Sequence, residues 1–265
     1  MKMSIVIPVL NEEETLEEKV LEICSFLKKR ALEYEVILID NESIDQSPLI
    51  IKNLCENLKG IRSASSTRGI GNALRKGFKE ARHEIIFFTA ADLPFGLKVI
   101  EESLNQIKDF DMVIGSKGHP QSSINIPISR MILSSTFRFL LKTLFRVSVK
   151  DPQGSLMFHQ KVRDTILHCC SSANSFFETQ FVIYAERMDF SILEIPVEYI
   201  SLRKKSRFNL FSESLGVFIN LLREFIQIHF RRTVNAHGPV SEDSFQKNVS
   251  MKNIKTSRVS HPNPF

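Results

Sequence analysis

Short apolar runs separated by stretches of helical spacing dominate the first half of the chain. SIVIPVL (Ser4 to Leu10), EVILID (Glu35 to Asp40), EIIFFT (Glu84 to Thr89) and DMVIGS (Asp111 to Ser116) each read as a strand. Their alternation with helical patterns is the signature of a mostly parallel sheet with crossover helices. Between the first two runs, Leu16, Val20, Ile23 and Leu27 recur at three- and four-residue steps, which predicts a helix with one buried face. Asn11 is expected to cap that helix, with Glu12, Glu13 and Glu14 in its first turn near the positive end of the dipole. In sheets of this kind ligands sit beyond the carboxyl ends of the strands. Those ends are Pro8 to Asn11, Asp40 to Ser43, Thr89 to Leu93 and Gly115 to Lys117.

The pattern changes after Lys117. HPQSSINIP reads as a loop, and a basic, apolar segment follows in which every fourth residue is Arg, Ser or Lys: Arg130, Ser134, Arg138, Lys142, Arg146, Lys150. Ser129 to Lys150 holds no acid, and Ile132, Phe137, Leu140, Leu141 and Leu144 lie opposite the basic row. This profile fits a helix lying on an anionic membrane surface, or a packed helix with a solvated face. A second amphipathic stretch, within 208–235, follows the cluster RKKSR (Arg203 to Arg207). Glu213, Arg223 and Glu224 interrupt its apolar positions, so it is expected to lie on a bilayer rather than cross one. Residues 236–265 are rich in Ser, Asn, Lys and Pro and read as a disordered basic tail. The expected organisation is therefore a domain over 1–207, an amphipathic helix over 208–235 and the tail.

Composition narrows the partners. At 265 residues, 43% hydrophobic and 25% charged, the chain can bury a substantial core. A formal charge of +5 points to an anionic partner. Nucleic acid is not expected, because the basic residues of the tail are not interleaved with aromatic stacking platforms. Cys24, Cys55, Cys169 and Cys170 show no zinc or disulfide spacing, which suggests core filler and a reducing cytosol. The apolar run after Met1 is too short for a signal sequence. A soluble or membrane-peripheral protein is expected.

Three segments carry candidate chemistry. IDNESID places Asp40 at a strand terminus, where a carboxylate can accept hydrogen bonds from a nucleobase or ribose; Asp45 serves equally well as a helix cap. TRGIGNALRKGFKEA (Thr67 to Ala81) lacks the third glycine of a dinucleotide fingerprint, since Leu74 stands there. It reads instead as a loop loosened at Gly69 and Gly71, feeding a helix whose N-terminal amides and Arg68 can meet phosphate, with Gly77 packing close to the sheet. FFTAADLPF offers a single carboxylate, Asp92.

In series these segments resemble glycosyltransferase family 2, and within it the polyprenyl-phosphate hexose synthases related to dolichol-phosphate mannose and glucose synthases. IVIPVLNEEETL resembles the nucleotide-binding first strand and turn, implicating Pro8, Asn11 and Glu12. ILIDNESIDQS is similar to V-D-D-G-S-x-D-x-T, with Asp40 as the base-binding acid and Asn41 and Glu42 departing from the pattern. RGIGNALRKGFKEA matches the glycine-rich element, implicating Arg68 and Gly71. TAADLP resembles the metal-binding D-x-D turn with Ala90 in place of the first acid and Pro94 in place of a further ligand, leaving Asp92 as the metal ligand beside Ala91. DMVIGSK is similar to the G-S-R strand, with Lys117 replacing Arg. RMILS resembles the R-x-x-x-S that holds the acceptor phosphate on Arg130 and Ser134. DPQGSLMF and FFETQF resemble the D-T-Q-G and F-D-x-E-L elements, and EIPVEY with RKKSR resembles the closing strand and donor loop, implicating Arg203, Ser206 and Arg207.

The resemblance implies a GT-A, Rossmann-like α/β fold. It implies inverting transfer of a hexose from a UDP- or GDP-sugar to a polyprenyl phosphate at the cytoplasmic face of a membrane. A Mg2+ or Mn2+ ion would be held at a weakened site, and Asp92, Arg130 and Lys117 would carry the chemistry. A non-catalytic nucleotide-sugar or lipid-phosphate binder, or transfer to a glycan with Glu178 as base, are the alternatives.

Overall fold

The computed structural model describes residues 1–124, 128–199, 219 and 221–226; between 128 and 134 it describes the backbone path only. The chain divides into two units, Met1–Val217 and Phe218–Phe265. In the second, residues 219 and 221–226 are helical, with Ile219, Leu222 and Ile226 exposed. The expectations for the rest of 208–235 and for the tail at 236–265 lie outside the described residues.

The first unit alternates strand and helix as the sequence predicts: β1 (Lys2–Val9), α1 (Leu16–Lys29), β2 (Glu33–Asp40), α2 (Ser47–Asn57), β3 (Ile61–Ser65), α3 (Ile70–Glu80), β4 (Ile85–Phe88), α4 (Lys98–Gln106), β5 (Met112–Ser116), α5 (Ile128–Phe145), β6 (Ser155–His159), α6 (Gln160–Ile166), α7 (Phe176–Arg187) and β7 (Ile192–Pro196). The strands form one sheet in the order β3-β2-β1-β4-β6-β5-β7. Among these strands β6 alone runs against its neighbours β4 and β5; all other pairings are parallel. The carboxyl ends of the parallel strands therefore share one edge with the start of β6.

Helices cover both faces, which is why β1, β2, β4 and β5 are nearly continuous apolar runs. Met3, Ile5, Ile7 and Val9 of β1 face a core completed by Leu16, Val20, Ile23 and Leu27 of α1, each at most 1% exposed. The opposite face carries an aromatic cluster in which Phe158 lies 5.0 Å from Phe78 and 4.9 Å from Phe181. Such pairs contribute about 0.5–1.5 kcal/mol each beyond the area they bury. Gly77 lets α3 sit against the sheet: a Cβ there would fall 2.2 Å from Val6 Cγ1.

Glu35 anchors the far edge. Its carboxylate is 7% exposed and accepts hydrogen bonds from Ser4 Oγ (2.6 Å), the Arg82 N–H (2.8 Å) and Arg62 Nε (2.7 Å). Burial works against the charge, but Arg62, Ser4 and Arg82 outweigh it and hold the carboxyl below its ordinary value.

Two sequence expectations change. Asn11 does not cap α1: the helix starts at Leu16 after Thr15, with Glu17 and Glu18 in its first turn. Asn11 instead takes a left-handed conformation, φ 54°, which Asn tolerates better than most residues. The cysteines are free, Cys24 and Cys170 buried and the other two half-buried. On α5, Leu141 and Phe145 are buried while Lys142 and Phe139 (67% exposed) face solvent; the helix ends at Phe145, so the exposed Arg146 and Lys150 of the basic row lie past it. No helix among the described residues is long and apolar enough to cross a membrane.

Candidate functional site

The shared edge is built in two halves. In the first, the chain leaves β1 and is stitched to the loop after β2. The Asn11 N–H donates to Ser43 Oγ (3.1 Å), and Asn11 Oδ1 accepts the Ile44 N–H (2.8 Å). The Ser43 N–H donates to Asp40 Oδ1 (3.2 Å), and the Glu12 N–H to Ser47 Oγ (2.8 Å). Asp45 spans both segments, accepting from Glu13 N–H (3.2 Å) and Ser47 N–H (2.9 Å). Burial opposes its charge, but the Ser47 and Glu13 bonds hold the carboxyl below its usual range. Asp45 thus acts as a structural clasp at the start of α2. Asp40, half-buried at the end of β2, keeps one carboxylate oxygen on Ser43 and presents the remainder at the edge. Arg68, exposed after β3, reaches the Glu42 carbonyl from Nη1 at 3.4 Å.

Pro8 and Gly71, both expected at the donor, are engaged within the fold. Pro8 is buried within β1, paired with Ile39, and packs the edge. The Gly71 N–H donates to the Ala173 carbonyl (2.9 Å), and a Cβ at Gly71 would lie 2.3 Å from the Ser172 carbonyl oxygen. The start of α3 is therefore packed against the loop before α7, and the Gly71 amide is not offered to a phosphate. Asn41 is 2% exposed, and its Oδ1 is among the buried polar atoms with no hydrogen-bond partner.

The turn after β4 folds FFTAADLPF so that Ala91, Leu93 and Phe95 point inward, at 5%, 4% and 6% exposure. Leu93 takes φ 48° and donates its N–H to the Ala90 carbonyl (3.1 Å). This leaves Ala90 and Asp92 half-exposed at the edge. Among the described residues no group of three or more His, Cys, Asp or Glu could hold a metal ion on its own.

The second half centres on Lys117, just past β5. Its N–H donates to Asp151 Oδ2 (2.8 Å), its Nζ lies 3.6 Å from the same oxygen, and the ammonium stands 5.8 Å from the centre of the Phe95 ring. Asp151 is itself held: Glu194 Oε1 accepts the Lys150 N–H (3.0 Å) and the Asp151 N–H (3.1 Å). Glu186 accepts from Ser148 and Val149 just upstream. Facing Lys117 and Asp151 is Glu178 on α7, 7% exposed. Burial pushes its carboxyl up to about 8; Lys117 pulls against that shift and Asp151 adds to it. Gln180 Oε1 accepts from the Ser171 and Ser172 N–H groups (3.1 and 2.8 Å), so it fixes the loop before α7.

Sequence reasoning did not single out Ser43, Ser47, Glu186 or Glu194. The serines carried a signal, lying just past a strand in ESIDQS; the glutamates carried none, since their partners are 37 or more residues away. The Arg130 and Ser134 side chains, and Arg203, Ser206 and Arg207, lie outside what the structure describes.

Residues 4–176 match the family model described as Glycosyl transferase family 2. The chain is 26% identical over 241 residues to the glycosyltransferase AglD of Haloferax volcanii, covering 87% of this chain and 38% of that protein. It is 26% identical over 218 residues to human dolichyl-phosphate beta-glucosyltransferase, covering 75% and 67%. It is 33% identical over 138 residues to the dolichol-phosphate mannosyltransferase of Pyrococcus furiosus, covering 51% and 38%. Two of these relatives are thus much longer than the stretch matched. Among solved structures, glucosyl-3-phosphoglycerate synthase from Mycobacterium tuberculosis, in complex with Mn2+, UDP and phosphoglyceric acid, superposes with a TM-score of 0.64 at 19% identity, over 84% of this chain and 78% of that one. That likeness establishes the GT-A type of fold.

Proposed function

The chain belongs to glycosyl transferase family 2, and from that premise we propose that it transfers a hexose from a nucleotide diphosphate sugar to a polyprenyl phosphate. The observation that carries this reading is topological. Asp40 ends a parallel strand, Arg68, Asp92 and Lys117 each follow the carboxyl end of one, and Asp151 precedes β6 at the same edge. Two dolichyl-phosphate transferases among the relatives support the acceptor class.

In this reading the nucleoside lies over the stitched loops of β1 and β2, where Asp40 accepts from the base and the Asn11–Ser43–Ile44 bonds keep the wall rigid. Arg68 meets phosphate from the side of β3. Asp92 is the protein's share of a divalent-ion site: a hard cation is commonly held by one or two carboxylates together with substrate phosphates and water, so one acid fits an ion that arrives with its donor. Held there with the donor, such an ion would supply positive charge at the diphosphate. Lys117, Arg130, Arg203 and Arg207 supply further positive charge, with Arg130, Ser134 and Ser206 meeting the acceptor phosphate.

A lipid phosphate needs no general base, because its second pKa is about 6 and it is anionic near neutrality. Glu178 fits that chemistry better than the role of base. Neutral near pH 7, it keeps a third negative charge away from the place where two anionic substrates meet. The exposed Lys142 and Phe139 of α5, with Arg146 and Lys150 just past it, suit contact with an anionic bilayer.

The second reading, a non-catalytic binder of the same ligands, is favoured by Ala90 in the metal turn and by Asn41. The deciding experiment is a matrix of UDP- and GDP-sugars against polyprenyl phosphate, a glycan and water, with and without chelator. The transferase reading expects nucleotide diphosphate release only with lipid phosphate, lowered by chelator and by Asp92→Ala. Donor binding without turnover on any acceptor would establish the binder instead.

A further inference from the structure

On the face of the sheet that carries α3 and α6, away from the strand ends, lies an open cavity of about 590 Å3 lined by Arg75, Lys79, Arg163, Asp164, Leu167, His168, Cys170 and Ser171. Its charges do not balance. Asp164 is taken by Arg163 (2.8 Å), whose Nη1 also caps the Phe78 and Ala81 carbonyls at the end of α3. Among the described residues Arg75 donates to neutral groups, the Cys170 and Ser172 carbonyls (3.1 and 2.9 Å) and Asn72 Oδ1 (3.0 Å), and lies over the Phe177 ring. Burial pulls its guanidinium below the ordinary value, as expected of a cation with no carboxylate beside it. Lys79 is exposed, and the acid on its own helix, Glu80, is engaged by Lys76 and Arg62. Three cations therefore face one carboxylate and the partial negative charge of about one half at the end of α3.

We propose that this cavity binds a phosphate-bearing small molecule at a site separate from the strand-end site. Arg75 has N–H groups beyond the three used by the loop, Lys79 adds a mobile ammonium, and Ser171 and His168 add polar atoms at the mouth. The volume exceeds what a bare phosphate fills and falls in the range of small-molecule sites, with Leu167 and Cys170 as an apolar floor. None of the lining residues is among the exposed large hydrophobic residues of the described chain, so a soluble phosphate is the probe of choice.

The test is calorimetric titration of the full chain with inorganic phosphate and with glucose 6-phosphate, repeated in Lys79→Glu, Arg75→Gln and Lys117→Ala. The expected result is saturable binding in the millimolar range or tighter, stronger for glucose 6-phosphate, weakened about tenfold or more by Lys79→Glu and unchanged by Lys117→Ala. Because Arg75 also secures the loop, a loss in Arg75→Gln does not separate binding from folding, so the exposed Lys79 variant, checked by thermal melting, decides. No binding up to about 10 mM, or binding lost in Lys117→Ala and kept in Lys79→Glu, overturns the proposal; the latter pattern assigns the anion to the strand-end site.

Discussion

Replacing Glu178 with Gln tests the electrostatics of the site most directly. In the folded chain its carboxyl is pushed from 4.5 up to about 8, mainly by burial. Between those values the unfolded chain gives up the proton while the folded chain keeps it. Folded stability therefore falls as pH rises from about 4.5 to about 8 and levels off above. A shift of about 3.5 units at 1.36 kcal/mol each sets a ceiling of about 5 kcal/mol; relaxation and water entry bring the expected drop to about 2–4 kcal/mol. Gln is neutral throughout and carries no such dependence. Urea unfolding followed by circular dichroism at pH 5, 7 and 9 should show the variant gaining on the wild type by that amount between the first and last pH, while every other titrating group cancels in the difference. A gap that stays constant within about 0.5 kcal/mol would refute a neutral buried Glu178. Lys117→Met, which removes the opposing cation, should carry the wild-type decline to higher pH. If the acceptor is a lipid phosphate, Glu178→Gln should also keep most of its turnover at pH 7; a loss of about 100-fold or more would make Glu178 the base.

Glu35→Gln removes a carboxylate that holds Arg62, Ser4 and Arg82 together, and should lower stability by about 2–3 kcal/mol at pH 7. Because the folded carboxyl titrates below its ordinary value, that advantage exists above about pH 4.5 and disappears as pH falls through the folded value, so acid unfolding curves of variant and wild type should converge. Gly77→Ala drives a methyl to 2.2 Å from Val6 and should destabilise by about 1–3 kcal/mol, read as a lowered Tm. Lys142→Gln with Arg146→Gln should weaken co-sedimentation with anionic vesicles by about tenfold or more, at about 1 kcal/mol per charge; unchanged binding would mark α5 as a packed helix with a solvated face. Ala90→Asp should tighten Mn2+ binding in the presence of UDP, measured by calorimetry, since it places a second carboxylate on the turn that bears Asp92.

Wherever burial alone dictates the pattern, the fold was legible. The runs ending at Val9, Asp40, Phe88 and Ser116 became strands because each is sealed by helices on both sides. β3 was missed because IRSAS is an edge strand with one buried apolar residue, Ile61, and leaves almost no hydrophobic signal. Asn11 misled because Asn followed by three glutamates has the chemistry of a helix start, whereas its side chain is claimed by Ile44, 33 residues away. Gly71 misled for a related reason: a glycine approached by a phosphate and one approached by a carbonyl look the same in sequence. That Asp40, Asp92 and Lys117 lie at or just past strand ends was legible because strand termini are visible in the pattern; that Glu194 holds Asp151 beside Lys117 was not, because it depends on chain segments brought together only by folding.

The reversed direction of β6 gives this architecture a modular character. Everything between Lys117 and Asp151, α5 included, leaves and rejoins the sheet at one edge, and those two residues are tied by a 2.8 Å bond between the Lys117 amide and the Asp151 carboxylate. Between those ends the excursion is also stitched to the chain after β7, where Ser122 and Ser123 bond to Val197 and Tyr199. Its length and chemistry can diverge during evolution without disturbing the register of β1, β2 and β3.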